Sequence, residues 1–257
     1  MINRIRITRE ERPVCRQIMK LTGPIILQNL LSAAVNSADV VMLNFVGQAH
    51  ISAVSLAAQY ASVLFMVLYG LGTGVTMLSA QYFGRGDLKA VDAVEGIALR
   101  FSVIVTAVLA AAALLIPEQM MRAFTPDPEL IAIGAEYLRN VSAAYLCWGL
   151  IEIYLATLRS VGRVGISTAL NTTAFLLNIL LNAVFIFGLF GAPKLGAAGV
   201  ALATSISRIV ELILALAVSG RSRDVKLTCP LREWEQDHGW DPWPHNTCSE
   251  LRVNKPL

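Results

Sequence analysis

Charge is what this chain has least of. Only 15% of its 257 residues are Asp, Glu, Lys or Arg, against 55% hydrophobic, and its mean hydropathy is +0.59. A soluble domain carries about 25% charged residues, so an ordinary solvated globule is excluded. Histidine is scarce too: His50, His238 and His245 are all there is, and none lies in a long apolar run. The four cysteines, Cys15, Cys147, Cys229 and Cys248, show neither CxxC spacing nor a disulfide framework. HExxH, GxSxG, Walker A and GxGxxG are missing. The chain is therefore not read as an enzyme, and no cofactor or metal centre is expected. A net charge of +3 is no nucleic-acid signal, because the basic residues lie in short loops rather than on one face.

What the chain does have is six apolar runs, near 21–45, 51–79, 94–116, 138–158, 166–188 and 196–218. Each reaches the roughly 20 residues a bilayer-crossing helix needs. The runs are continuous rather than alternating, which argues against barrel strands. The fold class predicted is all-α: a polytopic membrane bundle of six transmembrane helices in a lipid bilayer, with short connections and antiparallel neighbours. Residues 117–137 are predicted to leave the third span at Pro117. They then form a short interfacial lead-in helix, with Asp127 as N-cap and Pro128 at its first position.

Basic residues set the orientation. Arg4, Arg6, Arg9, Arg12, Arg16 and Lys20 precede span 1; Arg85 and Lys89 follow span 2; Arg159 and Arg163 follow span 4; Arg221, Arg223 and Lys226 follow span 6. The other loops are poorer in Lys and Arg, so both termini are expected in the cytoplasm of a cell whose inner (plasma) membrane holds the protein. The organisation expected is a basic cytoplasmic segment at 1–20, a six-helix lobe at 21–220 and a cytoplasmic tail at 221–257. The first run is too long for a signal-peptide core and is expected to stay as an uncleaved anchor. The tail holds Trp234, Trp240 and Trp243 without any periodicity and reads as disordered or out-of-frame sequence. Its Cys229, His238, His245 and Cys248 are spaced 9, 7 and 3 apart, which matches no structural zinc pattern.

Within the spans the polar residues fall into stripes. Asn29, Ser32, Asn36 and Asp39 step by three, four and three along one face of span 1. Interhelical hydrogen bonding accounts for Asn29 and Ser32. Asp39 is different: a carboxylate in a span costs about 2.5–3.5 kcal/mol on insertion scales, and neutral residues would serve as glue without it. It is read as an ion- or substrate-binding group. Span 5 carries Thr168, Asn171, Phe175, Asn178 and Asn182 on one face, which must look into the bundle. Asn178 and Asn182 could bond Asp39 or give oxygens to a hard cation such as sodium. Thr204 in span 6 could add a hydroxyl to the same pocket. Pro24 either kinks span 1 or sits harmlessly in its first turn. Asn29 and Asn36 in span 1, Gln59 in span 2, Asn171 in span 5 and Glu152 in span 4 are the cavity-lining candidates. Arg159 lies two turns beyond Glu152, so a direct pair is not expected there. Arg208 and Glu211, one turn apart, are expected to pair near the inner end of span 6.

Several segments resemble the multidrug and toxic compound extrusion (MATE) family. They are LTGPII at 21–26, DVVMLNFVG at 39–47, SAQYFGRGD at 79–87, LRSVGR at 158–163, NILLNAVFIFG at 178–188 and LGAAGVALAT at 195–204. The resemblance covers residues 15–220 and is to the N-terminal half of such a transporter. It implies one lobe of a two-lobe, twelve-helix exporter, with antiport of protons or sodium driving export of drugs or organic cations. It also implies a cation-coupling pocket of Asp39, Asn178, Asn182 and Thr204, and a helix bend at Pro24. The expected substrate is a cationic, amphipathic small molecule, and the expected partner is a second lobe. Asn182 departs from the aspartate frequent in the family, leaving Asp39 as the pocket's one charge. The resemblance fades near residue 228, so a fragment or frameshifted product is expected. A lipid-precursor flippase of related fold and a non-transporting fragment are the alternative readings.

Overall fold

The computed structural model describes residues 12–191 and 195–221. All the regular structure among them is helical: α1 (Arg12–Asn44), α2 (Gln48–Gly84), α3 (Leu88–Leu115), α4 (Pro117–Arg122), α5 (Pro128–Ser160), α6 (Val164–Phe187) and α7 (Gly196–Arg221), with a 3-10 turn at Leu189–Gly191. The six predicted spans correspond to α1, α2, α3, α5, α6 and α7. The last five are long and apolar enough to cross a membrane, whereas α1 carries a shorter apolar stretch at Thr22–Val35. The N-terminal eleven residues and the predicted cytoplasmic tail, apart from Arg221, fall outside the described residues.

The surface of the bundle is apolar and its interior is where polar groups collect. On α3, for example, Phe101, Ile104, Val108 and Leu115 are all more than half exposed and follow helical spacing. Lipid is the solvent such a face requires. On the opposite side of the same helix Glu95, Ser102 and Thr106 are fully buried.

Helix α5 is the axis of the lobe. It packs against α2, α3 and α7, while α6 packs on α7 and α1 packs more extensively on α6 than on its sequence neighbour α2. Small residues make this closeness feasible. Gly149 of α5 faces Ser102 and Thr106 of α3 so tightly that a Cβ there would lie 2.5 Å from the Thr106 methyl carbon. The Ser102 hydroxyl donates to the Gly149 carbonyl at 2.9 Å. Tyr60 of α2 meets Tyr145 of α5 edge-on, with ring centroids 5.9 Å apart.

Two turns at one end of the bundle share one device. In the FGRGD turn Gly86 sits at φ 79°, and the Asp87 N–H reaches back to the Tyr82 carbonyl at 3.0 Å. In the SVGR turn Gly162 also sits at φ 79°, and the Arg163 N–H reaches the Leu158 carbonyl at 2.9 Å. Glycine takes the left-handed position that lets the chain close each helix and reverse. Asp87 then caps α3 by accepting from the Ala90 N–H at 3.0 Å.

The segment 117–137 differs from expectation. Asp127 does cap a helix, accepting from the Glu129 N–H at 2.9 Å, with Pro128 at its first position. That helix is α5 itself, which runs unbroken from Pro128 to Ser160; the separate interfacial piece is the six-residue α4. No proline interrupts the chain between Pro128 and Ser160, so the lead-in and the span join in one helix. The Arg139 guanidinium and the Glu118 carboxylate lie 3.4 Å apart across the exposed α4–α5 corner.

Candidate functional site

Asparagine in an apolar helix must find partners, and α6 supplies them to itself and to α7. Asn171, Asn178 and Asn182 are buried on one face, Thr168 is half-buried, and Leu176 and Leu180 are exposed on the other. The Asn182 side-chain amide donates to the Asn178 side-chain oxygen, Oδ1, at 3.2 Å. The Asn178 amide donates to the Thr204 hydroxyl at 3.3 Å. The Thr204 hydroxyl in turn donates to the Val200 backbone carbonyl at 2.9 Å. Three of the four residues assigned to the cation pocket thus form one chain of hydrogen bonds between α6 and α7. Close approach of the two helices at Gly199, where a Cβ would come within 2.9 Å of Phe185, makes the chain short enough.

The fourth residue, Asp39, lies in α1, and its side chain falls outside the described residues, as does that of Asn36. The backbone of α1 is nonetheless well placed. Leu43, one turn beyond Asp39, packs with Ile186 and Val200. Ile186 is one turn from Asn182, and Val200 is the residue whose carbonyl holds Thr204. Phe45 and Phe187 meet edge-on at 5.7 Å where the two helices end. Pro24 lies inside α1, well past its first turn, which removes the first-turn alternative.

The other cavity candidates separate. Asn29 and Gln59 are exposed, while Asn171 is buried. Glu152 is ion-paired with Arg159 at 2.9 Å, contrary to the expectation that two turns would keep them apart. Seven residues rise only about 10 Å along a helix, and the long arginine side chain spans the difference. Arg208 and Glu211 pair at 2.8 Å as expected, but Arg208 is the midpoint of α7 and not its inner end. Its guanidinium carbon lies 5.2 Å from the Trp148 ring centroid.

Sequence reasoning missed two features. Glu95 of α3 is fully buried, beside Tyr154 and Thr157 of α5 and within reach of Asp92. The heptad relation of Glu95 to Ser102 and the further turn to Thr106 marked that face as inward. The second is Trp148 of α5, whose ring lies under the Arg208 guanidinium. Among the described residues no group of His, Cys, Asp and Glu is arranged to hold a metal ion.

Long apolar helices with an apolar outer surface, closing over a few buried amides, hydroxyls and ion pairs, define a polytopic helical membrane protein. The chain belongs to the MatE family, whose model matches residues 24–184. It is 26% identical over 211 residues to the uncharacterized transporter YisQ of Bacillus subtilis, covering 82% of this chain and 46% of that protein. It is 29% identical over 206 residues to the probable multidrug resistance protein NorM of Thermotoga maritima, covering 79% of this chain and 44% of the relative. The chain therefore spans about half the length of the curated relatives it matches. Its fold resembles a MOP superfamily transporter from Pyrococcus furiosus, with a TM-score of 0.75 at 23% identity, over 84% of this chain and 47% of the other.

Proposed function

We propose that this chain is the N-terminal lobe of a cation-coupled exporter of amphipathic, mainly cationic drugs, working with a second lobe in the plasma membrane. Both ends of the lobe lie in the cytoplasm. The observation that carries the reading is the Asn182–Asn178–Thr204 hydrogen-bond chain, set where α1 runs past with Asp39 one turn from a buried contact. A carboxylate beside amide and hydroxyl oxygens can take up either a proton or sodium. Either ion changes the pocket's net charge by one. If it binds the straight and Pro24-bent forms of α1 unequally, it shifts the balance between them, and release of the drug follows. The names of the relatives, which include multidrug resistance proteins, agree with this cargo.

The test is gradient-driven export of a fluorescent organic cation from proteoliposomes holding the chain joined to a second lobe. Asp39→Asn should abolish export under an imposed proton or sodium gradient while leaving membrane insertion intact. Export at the parent rate by Asp39→Asn would remove the coupling role.

A further inference from the structure

Two carboxylates are fully buried among the described residues, Glu95 of α3 and Glu211 of α7. Glu211 has a counter-ion, the Arg208 guanidinium at 2.8 Å. No such partner meets Glu95 among the described residues, and neither of its oxygens is held in a hydrogen bond of good geometry. The Thr157 hydroxyl of α5 faces the carboxyl but gives its one proton to the Ile153 carbonyl at 3.2 Å. The charged neighbour of Glu95 is Asp92, three residues earlier on α3, and it is also an acid. A bare carboxylate in such a seam is among the costliest groups a protein can bury, and it neutralises by taking up a cation.

The charged side chains around it do not supply that cation. On α5, Arg159 is taken by Glu152 at 2.9 Å, and on α7 Arg208 is taken by Glu211. Arg163, in the turn between α5 and α6, acts on Tyr154, and both it and Asp92 are already engaged. Arg85, Asp87, Lys89 and Arg100, in the FGRGD turn and on α3, are exposed. From α2 comes only a phenol, Tyr82, which packs in the same cluster as Val91 and Tyr154. No group of acids, His and Cys among the described residues is arranged for a metal ion. A proton needs a single acceptor. On Glu95 it turns the carboxyl into a donor, and Thr157, its own proton turned away, has an oxygen to receive the bond.

The place is distinct from the hydrogen-bond chain of Asn182, Asn178 and Thr204. Glu95 lies about 10 Å into α3 from the FGRGD turn. Ser219, which with Glu95 stands beside Tyr154, is about 22 Å along α7 from Thr204.

We infer that Glu95 is a proton-binding site of the lobe, apart from the Asp39 pocket, and that its proton holds α3 against α5 at the end closed by the FGRGD and SVGR turns. Loss of the proton puts a bare charge next to Asp92 in the seam between the two helices and loosens it. The inference depends neither on export nor on the role of Asp39.

Infrared spectra of the full chain in detergent at neutral pH read the proton directly, because a protonated carboxyl and a carboxylate absorb at different frequencies. A protonated-carboxyl band present in the native chain and missing from Glu95→Gln is the expected result. Thermal unfolding reads the consequence. Unfolded glutamate gives up its proton at about pH 4.3. Above that pH, unfolding releases the proton that the folded chain keeps, so native stability falls as pH rises. Glu95→Gln keeps the neutral shape and has no proton to release. Its melting temperature should gain on that of the native chain by roughly 3–5 °C for each unit between about pH 5 and pH 7. If Glu95→Gln does not fold, Glu95→Met takes its place under the same criteria. Identical carboxyl bands in the two chains, or a melting-temperature gap that stays constant or narrows as pH rises, overturns the proton on Glu95. A sodium-dependent rise in the native melting temperature that Glu95→Gln abolishes, with no band lost, puts a metal ion there instead and overturns it as well.

Discussion

Gly149→Ala probes the tightest contact of the axial helix. Its new Cβ would lie 2.5 Å from Thr106 Cγ2, 2.7 Å from Ser102 Oγ and 3.0 Å from Thr106 Oγ1. Carbon atoms in contact prefer about 3.5–4.0 Å, so α3 and α5 must part by roughly 1 Å. That movement also stretches the 2.9 Å bond from Ser102 to the Gly149 carbonyl. Overpacking costs about 1–3 kcal/mol, and the strained hydrogen bond adds up to about 1 kcal/mol. Alanine regains up to about 1 kcal/mol as the better helix former. The net loss is about 1–3 kcal/mol, which lowers the melting temperature by roughly 2–10 °C for a chain of this size. The assay is thermal unfolding of the purified protein in detergent. The same change in a Ser102→Ala, Thr106→Ala background, where all three clashing atoms are gone, should cost far less. An unchanged or raised melting temperature for Gly149→Ala would refute the reasoning. So would an equal penalty in the background that has room for the methyl group.

Two further outcomes follow from the helix ends. Asp127→Ala removes the cap bond to the Glu129 N–H and should cost about 0.5–2 kcal/mol, with Asp127→Ser recovering most of it; equal melting temperatures for the parent and the alanine variant would count against the cap. Cysteines placed at His50 and Asp127 should react with an impermeant thiol reagent added outside cells, while those at Lys89 and Arg163 should not; labelling at Lys89 in intact cells would overturn the orientation.

The sequence was most legible where one solvent decides everything. Six apolar runs place the spans, because lipid demands continuous helix, whereas the left-handed Gly86 and Gly162 that close the FGRGD and SVGR turns are seen only in the structure. The α6 stripe was legible for the same reason: Asn178 and Asn182 had to find partners, and Thr204 was the hydroxyl on the neighbouring span. What stayed hidden depends on side-chain reach and on packing depth. The Glu152–Arg159 pair needed the length of an arginine, not the spacing of Cα atoms. Glu95 stands near a span's end by sequence, yet it is fully buried beside Tyr154 and Thr157 of the axial helix. The more extensive packing of α1 on α6 than on α2 is a tertiary choice that no single helix encodes.

The central claim is that α1 brings its aspartate to the amide chain of α6, and paired cysteines test it directly. In a cysteine-free background, Asp39→Cys with Asn182→Cys is exposed to a short thiol-specific crosslinker in membranes. Leu43→Cys with Ile186→Cys serves as the positive control, since those two residues pack together in one buried cluster. Crosslinking of the 39–182 pair to an extent comparable with the control is the expected result. A control that crosslinks while the 39–182 pair does not would place Asp39 away from Asn182 and contradict the site.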